Sequence, residues 1–390
     1  MTQDNISIID KKCVGCFLCL DKCPTRAISK TVSKDGFEYP TINNDKCISC
    51  GICLKNCPVN LQDEKKYPME SFLTISKHKE EKNSSSGGLF YSIAKSFLEE
   101  MDGYVVGCVF DNNYEVKHIL TNDIKDIYKM QGSKYVESSI SYLYTPIKDI
   151  LSQKKRVLFS GTPCQCSAMK KCFGNNPYFY CIDIVCHGVP SRLLWEKEIH
   201  NLQRKYKFSR ISFRYKNKYE KTGFSLSLFD KDKLIKRIPY KKNGYYSLFI
   251  NSKNFRKSCY SCEFAYEKRI SDMTIGDCNT WLDYNDFYPE KSLSIALINT
   301  LKGKEIWDLV IPNIEFVHLN YEKEKKMNAQ LSRPSHIENR LSDEELFKII
   351  NEDISLDKYA IGTTKLDDLK SIIKNLISVK TRENIRRLIK

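Results

Sequence analysis

Cys13-Val14-Gly15-Cys16-Phe17-Leu18-Cys19-Leu20-Asp21-Lys22-Cys23-Pro24 is answered by Cys47-Ile48-Ser49-Cys50-Gly51-Ile52-Cys53-Leu54-Lys55-Asn56-Cys57-Pro58. Both runs read C-x2-C-x2-C-x3-C-P, the spacing of a two-cluster bacterial ferredoxin module. The reason is geometric. Three thiolates, three residues apart on a tight loop, cap three irons of one cubane. The fourth cysteine lies just beyond and reaches the other cluster. Cys13, Cys16, Cys19 and Cys57 are therefore assigned to one [4Fe-4S] cluster, and Cys47, Cys50, Cys53 and Cys23 to a second. The prolines direct the chain away, and Gly15 and Gly51 sit where backbone amides crowd the cluster. Zinc takes Cys-x2-Cys pairs separated by longer loops and fits these interleaved runs poorly. Residues 1–62 are expected to form a two-cluster ferredoxin-type domain that moves electrons.

The chain has 390 residues and 17 cysteines, and hydrophobic residues make up 41% of it. At roughly 150 residues per domain, two or three domains are expected, with enough apolar mass for real cores. Metal-ligand cysteine spacing points to a reducing compartment, and the cytoplasm is the expected location. The segment Met1 to Asp10 shows no basic n-region or apolar h-region, and no apolar run reaches the length of a membrane span. The formal charge is +15, and Asn201 to Ile270 hold 19 Lys and Arg against 5 Asp and Glu, a local +14. That region should face something anionic.

Outward from the cysteine runs, a charged link (Gln62 to Pro68) leads to the polar tract Asn83-Ser84-Ser85-Ser86-Gly87-Gly88. The tract opens a helical pattern with Leu89, Phe90, Ile93, Ala94, Phe97 and Leu98 on one face. Strand-like runs follow at Tyr104–Phe110, Arg156–Ser160 and Phe179–Val185, separated by helical patterns at Ser141–Leu151, Ser167–Lys171 and Arg192–Lys205. This alternation predicts an α/β core with a substantially parallel sheet. From Ile211 to Tyr240 the pattern reads as antiparallel strands. A further α/β segment follows, with runs at Met273–Gly276 and Leu293–Ile298. After Ser332 the chain reads as helical, with a capping box at Ser342-Asp343-Glu344-Glu345. Leu366, Leu369, Ile372, Ile373, Leu376 and Ile377 form an apolar stripe on a basic helix there. Docking on protein is the favoured reading of that stripe, with a membrane surface as the lesser one.

Cys164 follows the strand Arg156–Ser160, and Cys186 follows Phe179–Val185. Loops past the carboxyl ends of strands form the ligand crevice of an open α/β sheet, so these two are placed to share a site. With Cys259-x2-Cys262 they make four candidate ligands for a third [4Fe-4S] cluster. Structural zinc and free buried thiols are the alternatives. Cys108 and Cys181, inside strand patterns, are expected in the core. Ser86, Gly87 and Gly88 offer backbone N–H groups and a helix N-terminus to a phosphate, or else form a linker and cap. Gly132-Ser133-Lys134 reads as a cofactor loop or a surface turn. It lacks the glycine spacing of a P-loop, and no G-x-G-x-x-G occurs in the chain. His187 could donate a proton or stabilise its loop. Asp183 and Asp277 sit at strand ends.

Taken in order, Ser85-Ser86-Gly87-Gly88, Gln131-Gly132-Ser133-Lys134-Tyr135-Val136, Gly161-Thr162-Pro163-Cys164-Gln165, Asp183-Ile184-Val185-Cys186-His187-Gly188-Val189-Pro190-Ser191, Ser258-Cys259-Tyr260-Ser261-Cys262 and Asp272-Met273-Thr274-Ile275-Gly276-Asp277 resemble the beta subunit of coenzyme F420 hydrogenases and dehydrogenases. The likeness is to the bacterial form with a ferredoxin module in front. It implies FAD held by the α/β domain beside a cluster, with Thr162 and Gln165 among its contacts. It also implies hydride exchange with a small substrate, F420 or another molecule. The sequence departs from the family after Gly276-Asp277, where Cys278-Asn279-Thr280-Trp281 stands in place of an aromatic.

The expected fold is thus α+β and α/β. A two-cluster ferredoxin-like module precedes a mixed-sheet α/β flavin domain (residues 70–155 and 156–325) and a helical tail (326–390). The expected function is an iron-sulfur flavoprotein oxidoreductase fed by a redox partner protein or reduced carrier, with His187 as candidate catalytic residue. Flavin accepts electron pairs and each cubane passes single electrons, so a chain holding both can gather or split pairs. A clusters-only electron-transfer subunit is the rival. Nucleic acid, suggested by Tyr206, Phe208, Phe213, Tyr215 and Tyr219 among the basic residues, is disfavoured against strands with an aromatic inner and a basic outer face.

Overall fold

The computed structural model describes residues 5–60, 65–217, 223–284, 287, 292–365, 369, 376–382 and 385. In the cysteine-rich start, two small helices (Leu18–Lys22 and Ile52–Lys55) flank the antiparallel hairpin β1 (Ile28–Val32) and β2 (Glu38–Ile42). Phe17 and Gly51, the residues that cap these helices, take left-handed backbone, with φ of 57° and 69°. Cys16, before the first of these turns, is buried and Cys50, before the second, is exposed; glycine meets the left-handed turn without steric cost.

The chain then builds β3 (Glu70–Ser76), β4 (Tyr104–Phe110), β5 (Val116–Thr121), β6 (Val157–Gly161) and β7 (Phe179–Ile184). β8 (Arg210–Arg214), β9 (Phe224–Asp230) and β10 (Lys233–Pro239) follow, and β11 (Met273–Asp277), β12 (Ser294–Ile298) and β13 (Ile314–His318) complete the set. One eight-stranded sheet runs in the order β13-β3-β12-β11-β7-β6-β4-β5. Its centre, β11-β7-β6-β4, is parallel, and the flanking pairs are antiparallel. The central strands are apolar without alternation because helices cover both faces; Val157, Leu158 and Phe159 are all fully buried. The fold is therefore the mixed α/β sheet behind a ferredoxin-like module that the sequence predicts.

Strand positions agree with expectation to within a residue or two at each end. Three sheet members, β3, β5 and β13, were not predicted. β13 is only five residues long with a single buried position, Ile314, and β5 carries Lys117 and His118 in its middle. The helix expected from Ser141 starts at Tyr144, with Pro146 in its first turn. Proline is tolerated there because its missing N–H would have no intrahelical acceptor. The helix expected at Ser167–Lys171 begins earlier, at Pro163, where Thr162 and Gln165 form a capping box.

β10-β9-β8 is a separate antiparallel sheet. Phe213 is fully buried against Trp195 (centroids 5.1 Å apart), whereas Lys233 and Lys236 face outward. This is the aromatic-inside, basic-outside arrangement. Tyr219 lies outside the described residues. In the tail, Ser342 caps the helix Asp343–Asn351, accepting from the Glu345 amide at 3.1 Å. Leu346 and Ile349 of that helix are fully buried in the same core as Trp195. Of the expected apolar stripe, Leu366, Ile372 and Ile373 lie outside the described residues; Leu369 and Leu376 are exposed. Among the described residues no helix is long and apolar enough to cross a membrane.

The ferredoxin module is packed into the larger unit. Val14, Cys16 and Leu18 share a core with Tyr144, Ile147, Phe159 and Ile270. Tyr144 donates its hydroxyl to the Cys16 carbonyl at 3.0 Å. On the other side of the hairpin, Asp35 pairs with Arg340 at 2.9 Å, both side chains buried.

Candidate functional site

The structure brings the members of each predicted set near one another. Burial pushes the Cys16 thiol well up, and Cys13, Cys19 and Cys57 push it further, so these four act on one another. Cys23, Cys47, Cys50 and Cys53 line one pocket, walled by Ile28 and Ile42. Burial slightly disfavours the Cys23 thiolate, but the Ala27 amide, 3.2 Å from its sulfur, and donors from Thr25 outweigh that and lower its pKa. Among the described residues no three His, Cys, Asp or Glu side chains converge on a single metal ion.

The parallel strands β6, β7 and β11 end on the same side of the sheet: Cys164 is in the first turn of the helix after β6, Cys186 in the loop after β7, and Asp277 is the last residue of β11. The loop bearing Cys259 and Cys262 closes over them. Burial pushes the Cys259 thiol well up, and Cys262, Cys186 and Cys164 add to it, so all four interact. Cys262 is pushed up to about 11, first by burial and then by Cys164. Beside them lies a fully buried pair. Arg269 Nη2 is 3.1 Å from Asp183 Oδ1 but out of line for a hydrogen bond, so charge holds it there. Arg269 spends its other N–H groups on Thr274 Oγ1 and the Phe264 carbonyl.

A cleft of about 500 Å³ opens along the same edge. Its lining includes Ser86, Gly88, Gly132, Ser133, Lys134, Thr162, Gln165, Cys186 and His187, drawn from four separated segments. Gly87 is buried just behind. Two loops are tied together at the rim: the Ser133 amide and hydroxyl both donate to Ser85 Oγ, at 2.7 and 2.9 Å. Gly88 (φ 81°) begins the helix Leu89–Met101 with no side chain to cap it.

Several predicted residues already have partners. Lys134 is half-buried, desolvation lowers its pKa to about 8, and it donates to the carbonyls of Lys129, Met130, Gln131 and Gly132. It closes the C-terminal end of the helix Ile124–Met130. Gln165 accepts from the Thr162 amide (3.1 Å) and donates to the Ser138 carbonyl (2.9 Å). His187 lies 3.4 Å from the Ile250 carbonyl through Nε2, and its Nδ1 is 3.0 Å from Gln330 Nε2. That pattern fixes the tautomer with the proton on Nε2, and burial lowers the ring's pKa.

Other cleft residues gave no signal in the sequence. Arg214 is only 5% exposed and pairs with Asp277 at 2.7 Å, with Tyr135 Oη at 3.1 Å. In a stretch crowded with cations, nothing marked this one as turned inward. His118, at the cleft floor, is pushed down to about 4 by burial and bonds Ser160 O and Ser138 Oγ. Cys108, expected in the core, instead lines the cleft because β4 stands next to the last parallel strand pairing. Cys181 is fully buried as expected.

Residues 154–322 match the C-terminal region of the beta subunit in the coenzyme F420 hydrogenase/dehydrogenase family, and residues 12–61 match the 4Fe-4S dicluster domain. Two segments of the chain are thus similar to known families, one to a 4Fe-4S dicluster domain and one to the C-terminal region of an F420 hydrogenase/dehydrogenase beta subunit. The cleft, the Cys164–Cys186–Cys259–Cys262 group and Arg214 all draw on the beta-subunit stretch. A chain of the F420-reducing [NiFe] hydrogenase complex from Methanosarcina barkeri superposes with a TM-score of 0.47 at 16% identity, over 76% of this chain and 93% of that one. No curated protein matches the chain.

Proposed function

We propose that the chain is a cytoplasmic iron-sulfur flavoprotein oxidoreductase that passes electrons between a redox partner and a small substrate, F420 or another molecule. One observation carries this reading: the loop Ile184–Val189 is shared, giving Cys186 to the four-cysteine group and lining the 500 Å³ cleft with His187. A third [4Fe-4S] cluster on Cys164, Cys186, Cys259 and Cys262 would then lie against whatever fills the cleft. The donor set fits it. Four half-buried thiols that raise one another's pKa need soft cations to become thiolates.

The cleft fits FAD by its size, its largely pre-formed walls and its few polar groups. FAD, when bound, supplies hydride exchange with a substrate and single-electron exchange with a cluster. This chain's residues bind and orient it. The start of the helix Leu89–Met101 and the Ser85–Ser133 rim would receive the phosphates, Arg214 would add a fixed cation, and the buried Phe249 would form an apolar wall. His187, its Nε2–H already committed to a carbonyl, orients the loop. The exposure of Cys50 and Ile48 supports the Cys23–Cys47–Cys50–Cys53 set as the one nearest a partner protein.

The test is anaerobic purification with iron, acid-labile sulfide and released flavin measured on one sample. About twelve irons and one FAD per chain are expected. About eight irons, with no flavin after attempted reconstitution, would leave an electron-transfer protein that holds clusters alone.

A further inference from the structure

Arg256 stands between the ferredoxin module and the four-cysteine group, and only 2% of it is exposed. Its backbone is tied to both cysteine loops of that group: its amide donates to the Val189 carbonyl, and its carbonyl accepts from the Cys259 amide, each at 2.9 Å. Its side chain reaches the other way. The guanidinium pairs with the Glu137 carboxylate and donates to the Glu38 carbonyl at 3.1 Å. It lies 4.7 Å from the Phe37 ring centroid and 4.9 Å from that of Tyr39. It ends directly over the first cluster loop, where a Cβ on Gly15 would stand 2.6 Å from Nη2. Glycine at position 15 is therefore required by the cation as well as by its φ of 70°.

Packing alone does not account for this placement. Among the described residues the buried Nε has no hydrogen-bond partner. Its guanidinium overhangs Gly15, between Cys13 and Cys16, while its backbone is bonded to Val189 and Cys259 of the other set's loops. A cluster with four thiolates is a net anion and gains a further negative charge on reduction. A desolvated cation nearby offsets the repulsion between two such anions and favours their reduced forms.

We propose that Arg256 is a positioning residue shared by two cluster sites, a cationic bridge that holds the Cys13–Cys16–Cys19–Cys57 set against the Cys164–Cys186–Cys259–Cys262 set and raises the reduction potential on both sides. For the second of these sites the inference rests on the three-cluster reading.

The full chain is purified anaerobically as wild type, Arg256→Gln, Arg256→Lys and Glu137→Gln. Iron content and EPR-monitored redox titrations are measured for each, and a Cys262→Ser chain identifies the third cluster's signal. With iron content kept, Arg256→Gln is expected to shift the midpoints of the two adjoining clusters to more negative values. The Cys23–Cys47–Cys50–Cys53 cluster should move least, and Arg256→Lys should restore most of the shift. Glu137→Gln, which frees the cation from its counter-charge, should shift the same two clusters to more positive values; it supplies the test even where Arg256→Gln fails to fold. Unmoved midpoints in Arg256→Gln and Glu137→Gln with iron intact overturn the proposal. Equal iron loss from Arg256→Gln and Arg256→Lys, with no shift in Glu137→Gln, also overturns it and leaves a packing role. About eight irons in the wild type would remove the third cluster independently, and the shift of the Cys13 cluster alone would still decide the role of Arg256.

Discussion

Glu198 shows how a single buried group sets a pH dependence. It is 3% exposed, takes one hydrogen bond from Asn243 at 2.6 Å, and burial raises its pKa to about 7. A carboxyl whose folded pKa lies above its unfolded value is favoured protonated in the fold. Its contribution is therefore fully present below about pH 4 and is lost as pH rises through about 7. Glu198→Gln should leave the melting temperature unchanged at pH 5 and raise it at pH 8, by an energy on the order of 3 kcal/mol. A parallel pair of thermal melts checks this, and equal shifts at both pH values would sink it. His118 has the opposite sign. Its pKa is depressed to about 4, so its neutral, hydrogen-bonded state contributes above about pH 6.5 and is lost on acidification. His118→Phe keeps a ring over Phe159 but strips the bonds to Ser160 and Ser138. It should lower the melting temperature at pH 7.5 and narrow the difference from wild type at pH 4.5.

At the scale of elements, the start of the helix Leu89–Met101 is a tightly constrained joint behind the cleft. Gly87 donates its amide to Ser294 Oγ at 2.9 Å, and its carbonyl accepts from the Ser76 amide at 2.7 Å. A Cβ there would lie 2.5 Å from the Thr74 carbonyl and 2.8 Å from the Ser294 amide, so β3 and β12 would have to part. Gly87→Ala is expected to cost roughly 1–3 kcal/mol of stability and to lose released flavin with cluster iron retained. Flavin retained at the wild-type ratio would show that the Ser-Gly-Gly tract serves only to cap the helix. The basic stretch from Asn201 to Ile270 belongs at this scale too. Arg214, Arg256 and Arg269 point inward and are paired with Asp277, Glu137 and Asp183. Part of the local +14 is thus internal balance, and the surface field is weaker than the count implies.

For the whole molecule, the ferredoxin module behaves as a structural layer and not as a tethered carrier. Its Val14, Cys16 and Leu18 cover Tyr144, Ile147 and Ile270, and the Asp35–Arg340 pair clamps the far side. A chain beginning at residue 65 would expose that apolar face. It should lose several kcal/mol and aggregate at concentrations where the full chain stays dispersed. Light scattering and thermal melts of the two chains decide it; an equally stable short form would mean that the module docks weakly. The packing also orients the wiring, with the Cys13 set inside and the Cys50 face outside.

The eight ferredoxin cysteines were legible in the sequence because their chemistry is local. Thiolates three residues apart define a cubane loop wherever the chain goes. The central strands were legible because a sheet covered on both faces leaves continuous apolar runs. The order β13-β3-β12-β11-β7-β6-β4-β5 was not, since strand pairing joins residues more than 200 positions apart, such as Leu73 and Ile295. The meeting of Cys164, Cys186, Cys259 and Cys262 was suggested by strand ends, but the parallel edge and the closing loop brought it about. Arg256 and Arg214 were beyond reach, because whether a cation faces water or a buried carboxylate depends on which elements close around it. Local spacing determined where the clusters bind; tertiary burial decided which charges act on them.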